Sequence, residues 1–527
     1  MKKTIAKLLV PVLILSILSA CGGKDTTKTV GIGEAKYGSK YPIESDVTLT
    51  HWMPLTPNIT TSGANFGDLP VAKELEKRTG IKVEYIHPSL TNAQEKFNLM
   101  IASGTLADII TYYWENYSGG PDKAIEDKVI LPLDDLIDAF APNLKKIHET
   151  YSDIAKASKT SNGQYFAGGL LQTERKLRTS GGLIIRKDWL DDLNLEIPET
   201  IEDWYTVLKA FKEQKGATAP LSVDADAIAN GAFSGAFGIT TKFYHDKDGK
   251  VYYGPMEPGY KEFLTTMNKW YNEGLFDNNF STTDGATVTA NMLNGKTGVM
   301  YGGLGGGIGS LINAATDPNF KVTGAPYPTH KKGEKPMFGQ LTSNFAPTTT
   351  ISSQCKDVEL AMKYIDYGYS EEGKMFYNFG TEGLTYTLEN GYPKYTELIT
   401  KNPDGLSMSQ ALTKYSMGGQ RGAFSQDVRY LEQYAGKPEQ QEAWGRWINT
   451  DAESYVMPNV YIASDKLTEY SSKMTDIKTY TDEMYIKFIS GVEPIKNFEA
   501  YVAELKKLGI EDVLKMQQEA YNKYLAG

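Results

Sequence analysis

Apolar positions along the chain switch repeatedly between the period of a strand and that of a helix. Val47-Thr48-Leu49-Thr50 alternates and predicts a short strand; Leu69, Ala72 and Leu75 then fall at helical spacing on a segment that stops at Gly80. Ile81-Lys82-Val83-Glu84-Tyr85-Ile86 again reads as strand. Phe97, Met100 and Ile101 mark one face of a helix ending near Gly104, and Asp108-Ile109-Ile110-Thr111-Tyr112 predicts a third strand. Strands alternating with helices of about 10–15 residues imply βαβ units and a mainly parallel sheet.

A second series opens at Ile184-Ile185, which leads into a helix start around Lys187-Asp188-Trp189-Leu190. Thr200 with Asp203 three residues later has the spacing of a reciprocal helix cap. The run from Tyr244 to Tyr253 predicts a hairpin around Asp248-Gly249. Long helical patterns rich in Glu, Lys and Tyr dominate residues 430–527, and no internal repeat is visible.

Ahead of these elements, Lys2, Lys3 and Lys7 precede an apolar run from Leu8 to Leu18, the basic and hydrophobic regions of a secretory signal. The run is shorter than the about 20 residues a bilayer span requires. It ends in Leu18-Ser19-Ala20-Cys21-Gly22, which resembles the lipobox of bacterial lipoproteins. That resemblance implies removal of residues 1–20 and diacylation of Cys21. Residues 21–45, rich in Gly, Thr and Lys without apolar periodicity, are expected to form a flexible tether.

Charge narrows the function classes. Among 527 residues, 55 are Lys or Arg and 65 are Asp or Glu, a formal charge of −10 that becomes −13 when Lys2, Lys3 and Lys7 leave with the signal. This balance argues against nucleic-acid binding, which needs a positive stripe. With Cys21 acylated, the second cysteine, Cys355, has no protein partner; no disulfide is expected and Cys355 reads as a small buried filler. No further run is long and apolar enough to span a membrane, so lipid is the expected membrane link.

Motifs that would signal catalysis do not complete. Gly295-Lys296-Thr297 lacks the upstream Gly of a phosphate loop, since position 290 is Ala290, and the glycines from Gly302 to Gly309 never satisfy G-x-G-x-x-G. The latter run is expected to be a loop where backbone bends or approaches a ligand closely. His148-Glu149 lacks the second His of a zincin helix, and Asp246-Lys247-Asp248-Gly249 lacks the terminal Glu of a calcium loop. Paired carboxylates of a glycosidase remain open on spacing alone, because such acids need not be close in sequence.

Aromatic residues at strand ends are the positive signal. His51 and Trp52 follow the first strand, and Tyr112, Tyr113 and Trp114 close the third. Ligands of open parallel sheets bind outside the carboxyl ends of the strands, which would put Trp52 and Trp114 on one edge beside Glu115 and Asn116. An indole face against the C–H face of a sugar, with a few polar groups for hydroxyls, suits carbohydrate. Trp189, Trp204 and Trp270 lie in helical apolar patterns and read as core.

By this point the chain resembles the family 1 extracellular solute-binding proteins of ABC importers. The stretches LPLDDLIDAFAPNLKKI (131–147), IIRKDWLDDLNLEIPETIEDWYTVLKAFK (184–212), NGKTGVMYGG (294–303) and YSEEGKMFYNFGTEGLTYTLENGYPKYT (369–396) carry the resemblance, the last of them to the oligosaccharide- and alginate-oligosaccharide-binding branch. It implies an α/β, two-lobed, periplasmic-binding-protein-like fold with a helical C-terminal region. The first lobe would hold 46–170 plus 335–375 and the second 176–330 plus 380–527. The chain would cross between lobes at Gln172–Arg178 and near Met337–Gln340. The ligand-binding candidates are Trp52, Trp114, Glu115, Arg178, Tyr301, Gln340 and Glu382, the last in the loop Gly380-Thr381-Glu382-Gly383.

The function implied is capture of an oligosaccharide in the interlobe cleft and delivery to ABC importer permease subunits, without catalysis and without a cofactor. The protein would act as a monomer, lipid-anchored on the outer face of the bacterial cytoplasmic membrane. The alternatives are a binding lipoprotein for a non-sugar solute or for a sensor, and a surface polysaccharide-degrading enzyme. Residues 212–220 lack the carboxylate series of the alginate branch's calcium loop, so no metal is expected there. Arg175, Lys176, Arg178 and Arg421 leave an acidic glycan open.

Overall fold

The computed structural model describes residues 34–56, 59, 65–417 and 422–527. Cys21, the signal segment, the start of the tether and Arg421 lie outside the described residues. Fourteen strands are present among those described: β1 (Thr48–Trp52), β2 (Lys82–Ile86), β3 (Ile109–Thr111), β4 (Gly168–Leu171), β5 (Gly181–Arg186), β6 (Leu221–Ser222), β7 (Phe243–His245), β8 (Val251–Tyr253), β9 (Val299–Gly303), β10 (Val322–Ala325), β11 (Phe345–Ile351), β12 (Tyr386–Glu389), β13 (Tyr392–Tyr395) and β14 (Phe424–Ser425). The helices that position the site are α1 (Pro70–Thr79), α2 (Ala93–Ser103), α3 (Ile201–Lys215), α4 (Val358–Tyr367), α5 (Pro438–Ile448), α6 (Ser464–Ser490) and α7 (Ile510–Ala526).

Two sheets organise two lobes. The first has the order β14-β4-β11-β3-β1-β2, and the second β10-β5-β9-β6. Both are mixed: β1 runs parallel to β2 and β3, while β11 is antiparallel to both of its neighbours, and β5 is antiparallel to β9 and β10. The period-two pattern read from β1 and β3 fixes which face each residue occupies. Leu49 and Ile109 point into one core with Leu75 of α1 and Leu360 of α4. Trp52 and Ile110 point to the opposite face, where Phe97 of α2 covers them.

The second lobe gathers Ile184 of β5, Val299 of β9, Trp204 and Phe211 of α3, Trp270, and Trp444 and Trp447 of α5 into one large core. The Thr200–Asp203 cap at the start of α3 is reciprocal: Asp203 N–H donates to Thr200 Oγ1 at 3.1 Å, and Thr200 N–H to Asp203 Oδ2 at 3.0 Å. The expected hairpin forms as β7 and β8, with Gly249 in the left-handed region at φ 84.

Three expectations are corrected here. The tether is shorter than 21–45, because the backbone N–H groups of Lys36 and Tyr37 donate to the Glu359 carboxylate at 2.7 and 3.1 Å, Tyr41 donates to Lys363 O at 2.7 Å, and Ile43 is buried. The aromatic and apolar residues in this stretch have a lobe surface to cover. Phe424 and Ser425, placed with the second lobe on sequence, pair parallel with Leu170 and Leu171 of β4 in the first sheet. The glycine run after β9 is not an open loop but a π-helical turn, Leu304–Gly309. Its glycines serve packing, since a Cβ on Gly305 would lie 2.4 Å from the Tyr434 ring.

Candidate functional site

Where the lobes face each other lies a hollow of about 500 Å³. The carboxyl end of β3 delivers Tyr113 and Glu115 to its first-lobe wall, and β11 delivers Ala346, Pro347 and Thr348. The register of β11 against β4 shifts between Pro347 and Thr349, a bulge of the kind that re-aims side chains beside binding sites. Tyr112 N–H still donates to Thr348 O at 3.0 Å, but the Thr348 hydroxyl is buried in the wall without a hydrogen-bond partner.

The second-lobe wall is Lys242 and Phe243, at the start of the β7–β8 hairpin. Residues 456–461 run through the hollow, and Gln517 of α7 lines it as well. This connecting segment is held to β7 by His245 N–H donating to Tyr455 O at 3.0 Å and by a bridge between Tyr244 and Val456. Tyr461 is oriented edge-on to Phe166, with ring centroids 5.6 Å apart. The rings of Tyr113, Phe243 and Tyr461 thus come from three separate segments.

Charge around the hollow is uneven. Glu115 opens to solvent, yet enough protein surrounds it that burial holds its carboxyl above the ordinary range. Burial, followed by the nearby charges of Glu115 and Asp122, pushes the Tyr461 phenol up. Asp122 is itself buried and accepts from Ser161 and Asn162 N–H at 3.0 Å each. Among the described residues no group of three or more His, Cys, Asp or Glu converges to hold a metal ion.

Of the seven residues expected to bind ligand, only Glu115 lines this hollow. Trp114 is 0% exposed, its ring 5.4 Å from Phe97 in an edge-to-face pair, and its indole N–H has no partner. Trp52 is likewise buried against Phe97 and Tyr112. The expectation that they offer indole faces to a ligand is corrected: α2 folds over this edge of the sheet and takes both into a core.

Arg178 and Gln340 are instead hinge ties. Gln340 Oε1 accepts from Ser180 and Gly181 N–H at 2.8 and 2.6 Å, while Arg178 Nε donates to Thr342 O at 2.8 Å and Nη1 pairs with Glu453 at 3.3 Å. Burial lowers the Arg178 pKa, and Arg178 lines an adjoining polar hollow of about 440 Å³ that shares residues 456–459 with the first. Tyr301 lies behind the hinge, its hydroxyl 3.2 Å from that of Tyr327, which donates to Gly181 O at 3.0 Å and accepts from Gln340 N–H at 3.0 Å. Burial pushes the Tyr301 phenol up to about 12. Glu382 is exposed on the loop before β12 and does not line the hollow.

Lining residues that sequence reasoning did not nominate are Lys242, Phe243, Thr348, Gln517 and the segment 456–461. The hairpin signal placed Phe243 next to a turn, but nothing local marked the bulge at Thr348. Cys355 is partly buried against the first-lobe core, its thiol free and pushed up to about 12 by burial.

Two lobes, two segments joining their sheets and a hollow between them are the anatomy of a protein that closes around a small solute. The family model described as "Bacterial extracellular solute-binding protein" matches residues 63–375. The chain belongs to this family. Its fold is shared with the crystal structure of the alginate-binding protein AlgQ2 without calcium ion, at TM-score 0.71 and 26% identity over 90% of this chain and 98% of that one. Among curated relatives, the fructooligosaccharide ABC transporter substrate-binding protein FusA of Streptococcus pneumoniae is 25% identical over 97% of this chain and 96% of its own. Lipoprotein LipO of Bacillus subtilis is 26% identical over 86% and 88%. Among the described residues of this solute-binding protein, no helix is long and apolar enough to cross a membrane.

Proposed function

We propose that the protein captures an oligosaccharide between its lobes and hands it to the permease of an ABC importer, releasing it unaltered. The observation that carries this reading is the interlobe hollow, whose lining combines the aromatic residues Tyr113, Phe243 and Tyr461 with the polar residues Glu115, Lys242 and Gln517. Sugars present apolar C–H faces and rings of hydroxyls, and this wall composition meets both. Among the described residues Glu115 is the one carboxylate lining the hollow, whereas hydrolysis of a glycosidic bond uses a facing pair. The relatives named for fructooligosaccharide and alginate support the carbohydrate class.

The lobes are proposed as 46–170 with 335–375 and 176–330 with 380–527, amended by residues 36–45 and Phe424–Ser425 joining the first. Cys21 is the proposed lipid anchor, holding a monomer on the outer face of the membrane. Thermal-shift screening against a panel of oligosaccharides, amino acids and peptides tests the function. A glycan is expected to raise the melting temperature and to be recovered intact after overnight incubation. A response to peptides or amino acids alone would remove the carbohydrate claim, and newly released reducing ends would replace it with an enzyme.

A further inference from the structure

Of the four cations that the sequence put forward for an acidic glycan, Arg421 lies outside the described residues and the other three are engaged elsewhere. Arg175 donates to Thr450 Oγ1 at 3.1 Å and lies 3.9 Å from Glu453; Arg178 pairs with the same Glu453. Lys176 pairs with Glu432 at 3.3 Å and lies over the Trp444 ring at 4.9 Å. All three sit on the first crossing; none is among the lining residues of the interlobe hollow, and Arg178, paired with Glu453, lines the adjoining one that shares residues 456–459. Lys156, Lys159 and Lys523 line a different hollow of about 70 Å³, too small for a chain of sugar rings.

Inside the interlobe hollow the balance differs. Among the described residues that line it, Lys242 is the one cation, on the second-lobe wall, and Glu115 the one anion, on the first. Among the described residues Glu115 forms no ion pair. The buried carboxylate of Asp122 adds negative charge near Tyr461. A polyuronate carries one negative charge on every sugar unit and needs several cations along its path. An uncharged glycan needs acceptors and donors spaced among aromatic faces. A carboxylate is a pure acceptor, a Thr hydroxyl can do either, and an ammonium donates three times.

We infer that the cleft selects an uncharged oligosaccharide and that Glu115 is the residue that excludes polyuronates. Resting on the carbohydrate reading above, this narrows it to one class. Glu115 accepts hydrogen bonds from sugar hydroxyls at the first-lobe wall. A ligand carboxylate in the same place meets like charge, which is the repulsive half of specificity.

The test is titration calorimetry of the full mature chain with neutral trisaccharides (fructan, glucan and mannan) and with trigalacturonate and trimannuronate. Wild type is expected to bind at least one neutral trisaccharide ten times or more tightly than either uronate. In Glu115→Gln the neutral ligand should weaken at least fivefold and the gap to the uronates should shrink. An unchanged melting temperature of the free variant would show that it folds. Tighter binding of a uronate by wild type, or a preference unaltered in Glu115→Gln, would overturn the inference while leaving the carbohydrate reading intact. Binding of no glycan of either kind would overturn both.

Discussion

The buried Thr348 hydroxyl is an unpaid polar group: it lines the hollow and has no partner. Leaving a buried hydroxyl unsatisfied costs about 1–3 kcal/mol. Thr348→Val should therefore leave the free protein as stable as wild type or up to about 1 kcal/mol more so. Glycan affinity should change by less than about twofold, because the hydroxyl oxygen presents no surface to the hollow. Melting temperature and calorimetry on the same sample separate the two effects. His148 supplies a pH prediction. It stacks on Tyr165 at 4.4 Å with neither ring nitrogen hydrogen-bonded, and burial, with the nearby Lys159 charge, lowers its pKa from 6.5 to about 4. Between those values the unfolded chain holds a proton that the folded chain lacks, so stability falls as pH drops from about 6.5 toward 4. About 2 kcal/mol of the loss between pH 7 and pH 5 should trace to this ring. Urea unfolding at both pH values should show a smaller loss in His148→Phe.

At the level of elements, local signals were readable and covering elements were not. The strands around Leu49, Val83 and Ile109, the Thr200 cap and the Asp248-Gly249 hairpin all depend on residues adjacent in sequence. Phe97 was visible as part of a helix, but its position over Trp52 and Trp114 follows from how α2 crosses the sheet, which no periodicity encodes. The same holds for Arg178 and Gln340, whose partners at Thr342, Glu453 and Ser180 come together when the crossings lie side by side. Gly182 shows how tightly a strand and a helix can be fitted. A Cβ there would lie 2.5 Å from the Trp447 ring, and that ring is fixed by its N–H donating to Ala325 O at 3.1 Å and Leu183 O at 3.3 Å. Gly182→Ala must push α5 away from β5. A cost of about 1–3 kcal/mol is expected, read as a lower urea midpoint with altered Trp emission.

For the whole molecule, the decisive quantity is the free energy separating the open and closed arrangements, and the C-terminal helices bear on it directly. Ile510 and Val513 of α7 are buried in the second-lobe core, while Tyr524 near its end packs against the first-lobe core. Lys156 of the first lobe donates to Leu525 O at 2.7 Å, with its ammonium 6.0 Å from the centre of the Tyr524 ring. At its N-terminal end, α6 touches the first lobe through Ser464 Oγ and Glu126 at 3.3 Å. These contacts bridge lobes that must separate for ligand to enter. They are solvent-exposed, so each is worth only about 0.5–1 kcal/mol, which is the right size to bias a two-state equilibrium without locking it. Lys156→Met keeps the side-chain stem but removes the donor and the charge. Small-angle scattering should find a larger radius of gyration for the ligand-free variant and an unchanged one with glycan bound. Affinity should fall about two- to fivefold, because part of the binding energy goes into closing a population that wild type already holds partly closed. Identical scattering and affinity in the two proteins would mean that α7 belongs to the second lobe alone and that closure is set at the two crossings.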